Sequence, residues 1–344
     1  MPLTLHVDAA RWREHVRAYV ASHAGVVPVV KGNGYGFGNA VLAGEAARLG
    51  VQTLAVGTYD EVAEVERAFP GDLLVLSPWR PGLPAARLDD DRVVHTVSRL
   101  ADLRTLAASR DRPRVVVEVL TSMRRHGIEV AEIDAAVDLL ESVRFAGWAL
   151  HLPLAGDHEP EARSFLPRLV RTAGSPGDRL WVSHLPPPAA ARLAADSGTE
   201  VRLRVGTALW LGDRAALAPR ATVLDVHRLS RGDTYGYRQR RARADGWLLV
   251  LAGGTTHGVA LEAPTAAATV RQRVVALGHG GLSAAGRALS PYRVGGRQRW
   301  FAEPPHMQCS LVWLPGSVEP PAVGDEVPLE VRYTTTAFDR ISWD

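Results

Sequence analysis

Between residues 27 and 206, short apolar runs alternate with stretches whose apolar positions recur every three or four residues. The runs cover 27–31, 53–56, 73–77, 93–96, 114–120, 145–152, 180–184 and 200–206. They are short, rich in β-branched residues and nearly continuous in apolar character, the pattern of strands buried on both faces. The stretches between them, at 40–49, 59–69, 101–109, 131–142, 161–171 and 189–195, read as amphipathic helices. The link at 79–91 is short and Pro-rich, so a helix there is left undefined. Eight strands, most followed by a helix, predict a closed parallel (β/α)8 TIM barrel. A doubly wound open sheet is the alternative. The count of eight, and the lack of Gly-x-Gly-x-x-Gly after the first strand, favour the barrel.

After Asp213 the texture changes. Segments 222–229, 246–252, 272–277, 309–314 and 326–333 are short, strand-like and separated by Gly/Pro turns. They predict a separate all-β domain over 216–344, behind a barrel domain over 9–215. Residues 3–7 alternate like a strand and are expected to join the β domain, ahead of a helix at 9–21.

Composition narrows the function classes. The chain has 344 residues, 46% of them hydrophobic and 22% charged, with a net charge of +3. No basic block stands out, which argues against a nucleic-acid partner. The densest cluster, residues 238–243, reads as a solvated arginine-rich loop. Cys309 is the sole cysteine, so no intrachain disulfide forms. No run of 18 apolar residues and no signal-peptide core occur, so no membrane partner and a cytoplasmic location are expected.

Of 40 Lys and Arg residues only Lys31 is a lysine. It lies in Val29-Val30-Lys31-Gly32-Asn33-Gly34-Tyr35-Gly36-Phe37-Gly38, where an apolar strand meets a glycine-rich loop. Arginine stays protonated at neutral pH and makes no amine nucleophile, so this one lysine is read as a Schiff-base residue. In a barrel the reactive groups gather at the C-terminal ends of strands. Lys31 ends the first predicted strand, Arg125 follows the fifth, and His151, His184 and Arg204 come from the ends of the sixth, seventh and eighth.

These residues carry a resemblance to the alanine racemase family of pyridoxal-phosphate (PLP) enzymes, which pair such a barrel with a C-terminal β domain. The family's lysine motif, Val-Val-Lys-x-Asn-x-Tyr-Gly-x-Gly, is matched by residues 29–38. Its eighth-strand motif, Arg-Pro-Gly-Ile-x-x-Tyr-Gly, is matched loosely by Arg204-Val205-Gly206-Thr207-Ala208-Leu209-Trp210-Leu211-Gly212. The resemblance implies an amino-acid racemase with PLP as cofactor, working as a head-to-tail homodimer on a small amino acid. Lys31 would hold PLP as an aldimine and serve as one acid/base. Tyr35 and the N–H groups of Gly206 and Thr207 would meet the phosphate, with Tyr333 nearby. Arg204 would face the pyridine nitrogen, supported by His151. Arg125 would meet the phenolic oxygen or the substrate carboxylate, and the N–H of Met307 the substrate carboxylate across the dimer interface. A permanent cation at the ring nitrogen disfavours ring protonation, which suits proton exchange at Cα better than decarboxylation.

The chain also departs from the family. The tyrosine motif that supplies the second base is replaced by Ala252-Gly253-Gly254-Thr255-Thr256-His257-Gly258. The usual Met-Asp is Met307-Gln308, the motif histidine is Phe37, and a lysine that is usually carbamylated is Glu118. His257 is the candidate replacement base, with Tyr235 and Tyr237 behind it. The alternative is a racemase-defective PLP protein, either a regulatory or carrier protein or an enzyme of another one-face reaction. His306 and Cys309, three apart and lacking a clear third ligand, do not define a metal site.

Overall fold

The computed structural model describes residues 2–82, 87–170, 179–261 and 288–344. In chain order, β1 (Leu3–Val7) and α1 (Ala9–Ala21) precede β2 (Val26–Val30), α2 (Asn39–Arg48), β3 (Thr53–Val56), α3 (Asp60–Val65), β4 (Asp72–Val75) and β5 (Val93–Val97). There follow α4 (Leu100–Ala107), β6 (Arg114–Val119), α5 (Ile133–Val137), β7 (Arg144–His151), α6 (Glu159–Leu169), β8 (Arg179–Ser183), α7 (Pro187–Ser197), β9 (Glu200–Val205) and α8 (Thr207–Trp210). Strands β2 to β9 close into a barrel, β9 returning to β2 with Val27 opposite Arg204. These are the eight predicted strands, shifted by at most two residues at either end.

The apolar runs become strands because both of their faces are covered. Val27, Val29, Ala55, Leu74, Val94, Val116, Ala146, Ala149 and Trp181 form one buried cluster. The Trp181 indole N–H donates to Ala146 O at 2.8 Å, so its one polar atom is paired. Between β4 and β5 no helix occurs among the described residues, and Gly82 turns the chain there with φ +81.

The chain divides into two compact units, Arg13–Gly212 and Met1–Trp12 with Asp213–Asp344. The second contains β10 (Leu217–Leu229), β11 (Thr234–Tyr235), β12 (Arg240–Arg241), β13 (Gly246–Ala252), β14 (Leu289–Val294), β15 (Arg297–Phe301), β16 (Cys309–Pro315), β17 (Glu326–Pro328) and β18 (Arg340–Trp343). Its main sheet runs β14-β15-β16-β13-β10-β1-β18, with β17 also on β10. β1 pairs antiparallel with β10 and parallel with β18. The first turn of α1 goes with this unit because Trp12 is fully buried and meets the Trp343 ring edge-on at 5.5 Å.

Strands β14, β15 and β18 escape a reading by alternation. Proline, arginine and serine interrupt their apolar positions, and β14 and β15 gain order from neighbours rather than from propensity. Arg240 and Arg241, within the predicted loop, pair with Tyr235 and Thr234. The predicted strand 272–277 lies outside the described residues.

Candidate active site

Lys31 follows β2 directly and opens a tight loop. Gly34 has φ +57, and a Cβ there would lie 2.6 Å from the Asn39 backbone nitrogen, so only glycine fits. Tyr35 is itself left-handed at φ +55, an unusual state for a residue with a side chain, and it is buried. Asn39 secures the loop by donating to Gly32 O at 3.1 Å and to Glu64 at 2.8 Å.

Glu61 fixes two loops at once. Its carboxylate accepts the N–H of Gly32 at 2.8 Å, Gly57 at 2.7 Å and Thr58 at 3.2 Å. The loops after β2 and β3 are thereby tied together beside Lys31. Sequence reasoning missed this residue. An acidic side chain in the first turn of α3 looks like ordinary helix-end charge complementarity, and no motif marks it.

Lys31 lies exposed at the barrel mouth, with part of its side chain covered by protein. This desolvation lowers its ammonium pKa. The cation of Arg125 adds to the effect, Glu61 opposes it, and Arg204 lowers it further. Arg204, on β9, is fully enclosed. Burial lowers its guanidinium to about 10, which still leaves it charged at neutral pH. One nitrogen donates to Leu150 O at 2.9 Å, but its Nε finds no acceptor among the described residues. Glu118, on β6, is 3% exposed; burial raises its carboxyl pKa, while Arg204 and Arg125 pull it down.

Two imidazoles complete this rim. His151 at the end of β7 lies 3.2 Å from the Ser183 hydroxyl. Burial, then Arg204, then Arg125, drive its pKa down to about 2, so it is neutral at working pH. His184, after β8, meets it edge-on at 5.0 Å. Gly206 follows β9, and a Cβ there would lie 1.9 Å from the Tyr35 hydroxyl. The glycine therefore lets Tyr35 stand against the start of α8, and burial with Glu61 pushes that phenol up to about 12. Lys31, Tyr35, Arg125, His151, Arg204, Gly206 and Thr207 thus all belong to the barrel unit, and the electrostatics couple Lys31, Arg125, His151 and Arg204 directly.

The other predicted residues belong to the β unit. His257 is 6% exposed, and both ring nitrogens are engaged. Nδ1 accepts the Gly254 N–H at 3.2 Å, which places the proton on Nε2, where it donates to Asp339 at 3.0 Å. Asp339 also accepts the Leu3 N–H at 2.8 Å. This ring clamps β1 to the 252–258 turn and offers no free lone pair for proton abstraction. His257→Ala is expected to cost about 1–3 kcal/mol, read as a lower urea midpoint, and to leave Cα proton exchange unchanged.

Met307 is 67% exposed, and its carbonyl accepts from the Thr256 N–H and hydroxyl. Tyr333 is buried, with Arg214 stacked 5.1 Å from its ring and its phenol raised to about 12 by burial. Tyr235 packs towards Trp313, while exposed Tyr237 lies over the His306 ring at 4.4 Å. His306 Nε2 lies 2.6 Å from Glu303, and Nδ1 lies 3.8 Å from the Cys309 sulfur. Among the described residues, no group of three or more His, Cys, Asp or Glu is placed to hold a metal ion. No described helix is long and apolar enough to cross a membrane.

The family profile for the N-terminal domain of alanine racemase matches residues 7–213, more than half of the chain. The chain belongs to the alanine racemase family. Among its relatives, the alanine racemase of Mycolicibacterium vanbaalenii is 29% identical over 276 residues, covering 71% of this chain and 70% of that protein. That of Acidiphilium cryptum is 27% identical over 252 residues, covering 68% and 70%. The crystal structure of alanine racemase from E. faecalis has a TM-score of 0.72 at 20% identity, covering 100% of this chain and 98% of that one. The Bartonella henselae alanine racemase structure, with covalently bound pyridoxal phosphate, has a TM-score of 0.73 at 16% identity and covers 99% of both chains. The two structures establish a shared fold, and the barrel with a β unit is that fold.

Proposed function

We propose that this chain is a PLP-dependent amino-acid racemase whose reactive amine is Lys31. One observation carries the reading: the only lysine of the chain stands at a barrel mouth, its ammonium pKa lowered by desolvation and by Arg125 and Arg204. The residues present fit the cofactor. Arg204 offers a buried Nε–H that is unpaired among the described residues, for which an aromatic ring nitrogen is a matching acceptor. His151 is neutral and lies on the same rim. Tyr35 and the N–H groups of Gly206 and Thr207 suit a phosphate. Arg125 suits the phenolic oxygen or a substrate carboxylate. The family resemblance adds Tyr333 for the phosphate and Met307 for the substrate carboxylate, and with them a homodimer.

Bound there, PLP supplies an aldehyde and a conjugated ring that draws electron density from the substrate Cα. The protein groups do the rest. A lowered pKa gives Lys31 a larger neutral fraction near pH 7, the form that attacks a carbonyl and takes up a proton. Arg204 would hold the ring by donating a hydrogen bond from Nε without yielding its proton, which would keep the ring a weak electron sink. Glu118 balances two guanidiniums where a second fixed cation would otherwise stand alone.

Racemisation needs a second proton carrier. In the proposed homodimer that carrier would come from the β unit of the partner, where His306 keeps a ring nitrogen without a strong partner and His257 does not. Buried Glu303 orients the His306 ring, and Nδ1 faces only a weak thiol donor. His306→Gln is expected to slow racemisation roughly 10²-fold while Lys31-dependent Cα exchange persists, both measured by NMR in deuterated water.

A non-catalytic PLP-binding protein is the second reading, supported by the missing tyrosine and the engaged ring of His257. Incubation with L- and D-alanine in deuterated water separates the two. Inversion with exchange supports the racemase, exchange alone a one-face enzyme, and neither, in a yellow borohydride-reducible protein, the binder or a different amino acid.

A further inference from the structure

Lys31 leaves β2 beside the end of β3. The register sets Val29 opposite Ala55 and Val30 opposite Val56, so Lys31 and Gly57 come next, side by side. The approach is close. A Cβ on Gly57 would lie 3.0 Å from the Lys31 Cβ and 2.8 Å from Glu61 Oε2. Gly57 does not have a positive φ, so its backbone conformation does not call for glycine. What calls for it is the lysine stem and the carboxylate, which meet over its bare Cα.

Both sides of that contact are held. The Gly57 N–H donates to Glu61 at 2.7 Å, and its carbonyl accepts the Ser77 N–H at 2.8 Å. The Lys31 carbonyl accepts the Gly34 N–H at 3.1 Å, and the next N–H, that of Gly32, donates to Glu61 at 2.8 Å. The carboxylate splits this work. Oε1 takes Gly32, and Oε2 takes Gly57 and Thr58. A carboxylate accepts on both oxygens, whereas an amide would turn its NH2 against one set of donors. Glutamine therefore cannot serve all three.

We propose that Glu61 and Gly57 are positioning residues for Lys31, setting the line along which its side chain leaves the strand. This rests on the reading of Lys31 as the amine that meets PLP. A flexible four-carbon stem carries that amine, so its reach depends on where the stem is held at its root. A misplacement of about 1 Å costs on the order of 10²-fold in rate. Charge gives a second, separate readout. The groups acting on Lys31 are Arg125 after β6, Arg204 of β9 and, against them, the Glu61 carboxylate of α3; the rings of His151 of β7 and His184 after β8 share the same field. Glu61 favours the ammonium. Its removal lets the neutral amine appear at lower pH.

Two measurements on the full-length chain test this. In the protein freed of cofactor, trace acetic anhydride acylates neutral amine, and peptide mapping isolates the one lysine and gives its rate against pH. Visible absorbance then follows condensation with added PLP, giving a maximal rate and a half-saturating concentration. Gly57→Ala inserts a methyl group between lysine and carboxylate and leaves every charge in place. It is expected to lower the maximal rate roughly tenfold or more, with half-saturation and the acylation curve unmoved. Glu61→Gln is expected to acylate about threefold faster at pH 7 and yet to condense more slowly, because the amine is less protonated but misplaced. Gly44→Ala on α2, where a Cβ meets nothing within 4 Å, is the control and should match the unsubstituted protein in both. Far-ultraviolet circular dichroism checks that each variant is folded. A maximal rate in Gly57→Ala within about twofold of the unsubstituted protein, or an acylation curve in Glu61→Gln that stays in place, overturns the positioning role. An unsubstituted protein that acylates at Lys31 but never condenses with PLP overturns the PLP reading instead.

Discussion

Lys31→Ala is expected to yield a protein that borohydride cannot link to PLP and that has lost Cα exchange by a factor on the order of 10² to 10⁴. Lys31→Arg should fail equally. It restores a positive charge at the mouth of the barrel but not an amine that deprotonates near neutral pH. The pair of variants separates charge from chemistry, and added methylamine should rescue the alanine variant in part and the arginine variant less. Peptide mapping after reduction provides the direct check, since the chain has one lysine to label. Retention of a reducible PLP adduct in Lys31→Ala would remove the basis of the proposed mechanism.

The second large effect concerns stability. Trp12 is fully buried, packs edge-on against Trp343 and belongs to the β unit although it sits in α1. Trp12→Ala leaves a cavity that so large a ring cannot collapse around, and a cost of about 3–5 kcal/mol is expected. The measurement is a urea titration followed by far-ultraviolet circular dichroism. A change under about 1 kcal/mol, well below the usual cost of such a truncation, would mean that the Trp12–Trp343 contact holds little of the unit together.

The barrel was legible in the sequence because doubly buried strands are written as short β-branched runs, and eight of them leave few other architectures. The lysine loop was legible for a different reason: its glycines are forced by backbone geometry, as Gly34 shows against Asn39. The β unit was only half legible. Strands such as Arg297–Phe301 and Arg340–Trp343 carry polar residues on an exposed side, and one apolar alternation in five residues is weak signal. Side-chain networks were the least legible. Glu61 accepts two N–H groups from its own turn and a third from Gly32, far back in the sequence, and nothing in its own neighbourhood announces that third one. His257 was chosen for its chemical type. What sets its behaviour is a tautomer, and that depends on where Gly254 and Asp339 lie in space.

The placement of Leu3–Val7 between Leu217–Leu229 and Arg340–Trp343 has a consequence for how the polypeptide is made. Its first strand leaves the ribosome with neither neighbour in existence. At 5–20 residues per second, about 10 to 40 s pass before the first of them is synthesised, and the other follows later still. Throughout that interval Leu3, Leu5 and Val7 are apolar side chains on an unpaired edge, while the barrel strands can begin to assemble behind them. The nascent chain thus carries an uncovered apolar segment for that time, and a chaperone that shields it should raise the yield.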